Sequence, residues 1–241
     1  MIKVDTKFPV AYTSLDHIHP EGIYWDNNLN LNFIEQLESF WGDRKIRFMD
    51  VGCAGGEMVC EMHRRGHTSV GLEGSDQCLN VRNEMVEEVG REPLGKNNWQ
   101  EYGNKILFTC DVTKPFTVFN DDEPMKFDVV TCFDVIEHFD PEDQSQFIQN
   151  IRKHLKDDGI FLLAIAMFPA GRSVGHDPIE YHKSIFPVEW WQNKFQENDM
   201  LEFPYPFNTT NRSYQSVQAN APIGTTITHG PTYICLWKKK L

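Results

Sequence analysis

The chain is short of positive charge and lacks the long apolar runs, paired cysteines and repeats that mark whole classes of protein. Lys and Arg total 23 against 35 Asp and Glu, a formal charge of -12 at pH 7. A surface of that sign repels polyanions, so neither a nucleic acid nor an anionic membrane is expected as a partner. The one basic run, Lys238-Lys239-Lys240, reads as a solvated chain end. No window approaches the ~18 apolar residues that span a bilayer, and Met1-Ile2-Lys3-Val4-Asp5 has no apolar signal core. None of the six cysteines forms a C-x-x-C pair or falls at a metal-like spacing with histidine. Cys110, Cys132 and Cys235 sit in apolar runs, where a reduced thiol acts as a small hydrophobe, so a reducing, cytoplasmic setting is expected.

What the chain does have is alternation. From Ile46 onward, apolar runs and helical periodicities succeed one another: strands over 46–51, 68–73, 105–110, 127–133 and 159–166, and helices over 56–65, 75–89 and 141–156. Strands alternating with helices predict an α/β fold, a mostly parallel sheet with helices on both faces. Ser75 and Pro141 mark two helix starts, and Asp157-Asp158-Gly159 reads as the stop after the third helix. An amphipathic helix is predicted over 31–40, after an irregular lead, and another over 188–198. A final strand is predicted over 232–237, and 91–104 and 117–126 read as loops. At 241 residues the chain fits a single domain: an N-terminal lid and helix (1–45), a nucleoside-binding core (46–166), and a substrate loop, Trp-rich helix and last strands (167–241).

Within that core, Phe48-Met49-Asp50-Val51 breaks into Gly52-Cys53-Ala54-Gly55-Gly56, and the next apolar run ends on Glu73. Glycines let a backbone approach a ligand closely, and a carboxylate at the next strand end can hold ribose hydroxyls. A dinucleotide site needs G-x-G-x-x-G, with pyrophosphate on the helix amino end. Here Asp50 stands just ahead of the glycines, where a carboxylate opposes pyrophosphate and suits the positive amino end of a methionine moiety. A nicotinamide oxidoreductase also needs a hydride site such as Tyr-x-x-x-Lys, and none follows the fourth strand.

These residues resemble the class I S-adenosylmethionine-dependent methyltransferases. Asp50 to Gly56 is similar to their first motif, an acid followed by G-x-G-x-G, with Ala54 in place of the middle glycine. Glu73 is similar to their ribose-binding acid, Asp111 in Phe108-Thr109-Cys110-Asp111-Val112 to the acid that accepts from the adenine amino group, and Phe127 to His138 to the segment around strand four. The segment 151–165 resembles the following helix and strand. The resemblance implies a Rossmann-like seven-stranded sheet with the last strand antiparallel, and S-adenosylmethionine as cofactor. It implies a cofactor site of Asp50, Gly52, Ala54, Gly56, Glu73, Asp111, Val112 and Asp134. By themselves Asp111 also reads as a turn former and Asp134 as a helix cap.

The methyl acceptor is less legible. Cys132-Phe133-Asp134-Val135 lacks the D/N-P-P-Y/F tetrad of nucleobase-amine methyltransferases, and only Glu137 stands where protein-arginine methyltransferases use two glutamates. The segment 181–191 resembles, more weakly, a stretch in methyltransferases encoded with sugar and surface-polysaccharide genes, and the resemblance implies a small molecule or a glycan as acceptor, methylated on oxygen. Methylation of a small amine and a non-catalytic binding module are the alternatives. His138 and His182 are the candidate general bases, since imidazole titrates near neutral pH. The long segment 168–187 also carries His176 and Asp177, but without the rigid helical spacing of metal ligands, so no metal is expected. Trp190 or Trp191 offers one stacking face to the pocket, Asp16, His17, Pro20, Tyr24, Trp25, Asp26 and Asn27 belong to the lid, and the protein is expected to be a monomer or homodimer.

Overall fold

A computed structural model describes the chain except residues 21–22, 24–25, 28, 81–97, 175–176, 209–225, 228–229 and 241. Its strands are β1 Ile2–Thr6, β2 Arg47–Val51, β3 Thr68–Glu73, β4 Leu107–Thr109, β5 Phe116–Asn120, β6 Glu123–Pro124, β7 Phe127–Phe133, β8 Leu155–Ala166, β9 Gly171–Val174, β10 Asp177–Glu180, β11 Met200–Phe203, β12 Thr226–Ile227 and β13 Gly230–Lys239. The α-helices are α1 Leu15–Ile18, α2 Leu31–Trp41, α3 Glu57–Arg64, α4 Asn98–Tyr102, α5 Gln144–His154 and α6 Val188–Glu197.

The main sheet runs β11-β13-β8-β7-β2-β3-β4. β4, β3, β2, β7 and β8 are mutually parallel, while β13 lies antiparallel between β8 and β11. Both faces of this sheet are covered, and the residues show it. Along β8, Phe161, Leu163 and Ile165 enter one apolar cluster and Ile160, Leu162 and Ala164 the other. A strand with two buried faces must be apolar throughout, which is why 160–166 is a continuous hydrophobic run. α2 buries Phe33, Ile34 and Leu37, and α3 buries Met58, Val59, Cys60 and Met62, all in the second cluster. α5 presses Phe147, Ile148 and Ile151 onto the first.

The order places a switch point at β2, whose two neighbours, β3 and β7, continue the chain in opposite directions across the sheet. A crevice opens beyond the carboxyl ends of strands at such a point. Among the described residues, no helix is long and apolar enough to cross a membrane.

Several expectations are corrected. Residues 117–126 are not a solvated loop: β5 pairs with β6 and, over its whole length, with β1 of the supposedly irregular lead. The acidic turn at Asp121-Asp122 hides a strand in which Phe116 and Val118 are buried. Asp157-Asp158-Gly159 does not stop a helix; α5 ends at His154, and the three residues form an irregularity inside β8, where pairing jumps from Phe127–Leu155 to Val129–Ile160. The helix predicted from 75 begins as a 3-10 turn over Asp76–Asn80, with Ser75 Oγ accepting from the Gln77 amide at 3.3 Å. Most of the rest of that predicted helix lies outside the described residues.

Candidate active site

The glycine turn gets its shape from left-handed residues. Gly52 has φ 71°, and a Cβ there would drive into the Val135 side chain; Gly56 has φ 76°, and a Cβ there would come 2.8 Å from Leu107. Ala54, where the motif has glycine, also sits at positive φ, 43°, a conformation that strains an L side chain. Two hydrogen bonds hold it there. Its amide donates to Glu73 Oε2 at 2.9 Å and its carbonyl accepts from Trp99 Nε1 at 2.7 Å.

That first bond ties the turn after β2 to the end of β3. Glu73 also accepts from the Ser75 amide at 3.2 Å. Burial raises its pKa to about 7, with the backbone donors of Ala54 and Ser75 opposing the shift. A buried carboxylate held by amide donors and facing a cavity is poised for further donors such as a vicinal diol.

The cavity, about 460 Å³, lies over the carboxyl ends of the parallel strands. It is lined by Gly52, Ala54, Glu73, Asp111, Val112 and Asp134 at one end and by His138, Phe168, His182 and Lys183 toward the other. Asp50 and Gly56 are not on its wall. Asp50 is buried and accepts from Thr131 Oγ1 at 2.6 Å, bracing β2 against β7, while Gly56 is the left-handed entry to α3. Asp111 bears out the turn-former reading. It lines the cavity and closes a turn, accepting from the Thr113 amide at 3.0 Å and hydroxyl at 2.6 Å. Asp134 sits at φ 52°, its amide donating to Ala164 of β8 at 2.8 Å.

Charge on the wall is lopsided. Asp16, Asp26, Glu73, Asp111, Asp134, Asp140 and Asp143 face Lys114 and Lys183. Both lysines are already paired, Lys114 with Asp143 at 2.8 Å and Lys183 with Asp140 at 3.0 Å. Such a cavity draws in a cation and repels a polyphosphate.

The two candidate histidines meet, although they come from distant segments. Their ring centroids are 4.9 Å apart. His138 Nδ1 lies 2.8 Å from Asp16 Oδ2, and His182 Nδ1 lies 2.6 Å from the Phe168 carbonyl. Burial lowers the His182 pKa, with the carbonyl opposing. Glu137 is fully buried beside them. Its backbone carbonyl accepts from the Lys183 and Ser184 amides at 2.8 and 2.9 Å, and its Oε1 from the Ala166 amide at 3.1 Å. Burial and the neighbouring Asp134 push its carboxyl pKa upward.

The N-terminal segment roofs this space. The Ala11 amide donates to Gly74 O at 2.7 Å, the Asp111 amide to Phe8 O at 2.9 Å, and the Gly55 amide to Asp26 O at 2.9 Å. His176, Tyr24 and Trp25 lie outside the described residues. The tryptophans are corrected: neither lines the cavity. Trp191 is buried in the core, and Trp190 stacks on Phe186 at 3.9 Å. Sequence reasoning missed Asp16 as a partner of His138 and Glu137 as a buried carboxyl beside the two histidines. The first pairing spans 122 positions and leaves no local pattern; the second was visible as the residue preceding His138.

Comparison with known proteins agrees with this geometry. The profile of a family described as a methyltransferase domain matches residues 25–219. The ubiquinone biosynthesis O-methyltransferase of Actinobacillus pleuropneumoniae serotype 5b is 29% identical over 138 residues, 57% of this chain and 52% of that protein. Its counterpart in Leptothrix cholodnii is 29% identical over 183 residues, 68% of this chain and 67% of that protein. The chain thus spans about half the length of the first of these relatives. Among solved structures, an S-adenosylmethionine-dependent methyltransferase from Clostridium acetobutylicum superposes with a TM-score of 0.55 at 13% identity, covering 95% of this chain and 96% of that one. A 1,6-didemethyltoxoflavin-N1-methyltransferase from Burkholderia thailandensis gives 0.52 at 12%, covering 94% and 84%. With the profile spanning most of the chain, and the strand order and glycine turn in agreement, this protein belongs to the methyltransferase-domain family, whose class I members take their methyl group from S-adenosylmethionine.

Proposed function

We propose that this chain transfers the methyl group of S-adenosylmethionine to a hydroxyl of a small molecule. The observation that carries the reading is Glu73, buried, hydrogen-bonded to the Ala54 amide across the glycine turn, and open to an acid-lined cavity at the sheet's switch point. In this reading Glu73 accepts from the two ribose hydroxyls. Asp111 and Val112 flank the adenine, and the turn from Gly52 to Ala54 lies against the methionine moiety. The surrounding carboxylates favour a sulfonium cation over a nucleotide polyphosphate.

The acceptor enters from the end bounded by His138, Phe168 and His182. Methyl transfer is an in-line displacement: the acceptor oxygen forms a bond to the methyl carbon as the carbon–sulfur bond breaks, and S-adenosylhomocysteine leaves. The hydroxyl proton departs at the imidazole end. A lowered pKa keeps His182 neutral near pH 7, with a lone pair available. Oxygen as the acceptor atom is supported by the relatives named O-methyltransferases.

Calorimetry tests the donor half. S-adenosylmethionine should bind and NAD should not; binding of NAD alone would remove the cofactor from the reading. A screen of small phenols, alcohols and amines for S-adenosylhomocysteine release tests the acceptor. Turnover with amines only would move the chemistry to nitrogen.

A further inference from the structure

We infer that Glu137, His138 and His182 form a binding site for a transition-type divalent cation at the acceptor end of the cavity. This rests on the methyl-transfer reading for its role in catalysis, and on geometry alone for the site itself. One carboxylate oxygen of Glu137 and one ring nitrogen from each histidine all lie within 4.8 Å of one another. Small side-chain rotations bring such a trio into the ~2.1 Å shell of a zinc-like ion.

Two further observations point to a cation. Glu137 is fully buried, its Oε1 takes the Ala166 amide, and its Oε2 has no hydrogen-bond partner. A buried carboxylate oxygen without a donor is costly, and a metal ion satisfies it. The histidines are also set in the ligand tautomer. Each presents Nδ1 to an oxygen acceptor, the Asp16 carboxylate for His138 and the Phe168 carbonyl for His182. Nδ1 therefore carries a proton in both, which leaves Nε2 as the nitrogen that a metal ion can take. A ring N–H given to a carboxylate or carbonyl is how metal-ligating histidines are oriented.

Two imidazoles and one carboxylate suit Zn²⁺, Mn²⁺, Co²⁺ or Fe²⁺ better than Mg²⁺, which prefers oxygen ligands. Three protein ligands leave positions open, and His138 and His182 are on the cavity wall. With the metal bound, the imidazole lone pairs are taken up as ligands and the metal replaces His182 in activating the acceptor: a hydroxyl in an open position ionises more readily, its proton passes to solvent, its oxygen takes the methyl group, and the sulfonium becomes a neutral thioether. No oxidant or reductant is involved.

The test uses the full chain stripped with chelator and titrated with Co²⁺, read by visible absorption and calorimetry without cofactor or acceptor. We expect about one Co²⁺ per chain with nitrogen–oxygen ligand-field bands. Glu137→Gln and His182→Gln should each weaken binding at least tenfold, and Asp16→Asn about tenfold through the orientation of His138. Zn²⁺ should raise the melting temperature of the wild type and not of His182→Gln. If Glu137→Gln fails to fold, His182→Gln carries the test. Absence of stoichiometric Co²⁺ binding, equal affinity in His182→Gln and wild type, or thiolate charge-transfer bands would each overturn the site. Intact S-adenosylmethionine binding beside absent metal binding would leave the proposed function standing; metal binding without cofactor binding would do the reverse.

Discussion

The two ends of the cavity are built in different ways. At the end proposed for the methyl donor, Gly52, Ala54, Glu73, Asp111 and Asp134 lie on the carboxyl-end turns of adjacent parallel strands, and the sheet's own register delivers them to one place. At the end proposed for the acceptor, Asp16, Glu137, His138 and His182 come from the N-terminal roof, the turn after β7 and the segment before α6, and side-chain contacts align them. Chemistry that every member of a fold shares can be placed on backbone turns. Chemistry that distinguishes one member falls to loops, which vary without disturbing the sheet.

Breaking the donor end should have the larger effects. Gly52→Ala combines a left-handed φ with a collision against Val135, so we expect a loss of about 2–4 kcal/mol in stability by denaturant titration. A loss under about 1 kcal/mol would mean that the turn relaxes. Glu73→Ala should weaken S-adenosylmethionine binding by about 1–3 kcal/mol in calorimetry, whereas His182→Ala should leave that affinity within roughly 0.5 kcal/mol. Equal losses in both would erase the division between the two ends.

The same division appears in pH dependence. The Glu73 pKa is raised to about 7 in the folded chain from an ordinary 4.5, so the folded state holds this proton more tightly than the unfolded state. Its contribution to stability is therefore present below pH 4.5 and is lost as pH rises through about 7. Diol binding runs the other way, because it needs the carboxylate. The cofactor dissociation constant should be flat above pH 7 and weaken as pH falls below it, and a flat profile down to pH 5 would move ribose recognition off Glu73. The smallest effect concerns Ala54. Ala54→Gly relieves the positive φ but frees the unfolded chain, a net gain of about 0.5 kcal/mol that a thermal melt can detect. A clear loss instead would show that the methyl group packs usefully beneath Glu73.

The glycine turn and the strand ends around it were readable in the sequence because their signals are local. Glycines at positions needing positive φ, acids at strand ends and a two-faced apolar run each announce themselves within a few residues. The acceptor end was half readable. His138 and His182 stood out as imidazoles near strand ends, yet nothing in the spacing said they would stand 4.9 Å apart. Where composition alone spoke, it misled. The acidic stretch 117–126 read as solvent-facing, although alternate residues of β5 are buried against β1. One of Trp190 and Trp191 read as a stacking face for the pocket, although Trp191 fills the core and Trp190 stacks on Phe186.

By itself the sequence determined the alternating α/β architecture, the parallel core strands, the glycine turn and the position of Glu73, since hydrophobic period and turn chemistry act over short stretches of chain. Only the tertiary structure decided that Asp50 braces the sheet instead of lining the cavity, that Asp16 meets His138, and that a buried carboxylate joins two histidines in one cluster. Those outcomes depend on which distant segments pack together, and long-range packing is set by the whole core, not by any motif within it.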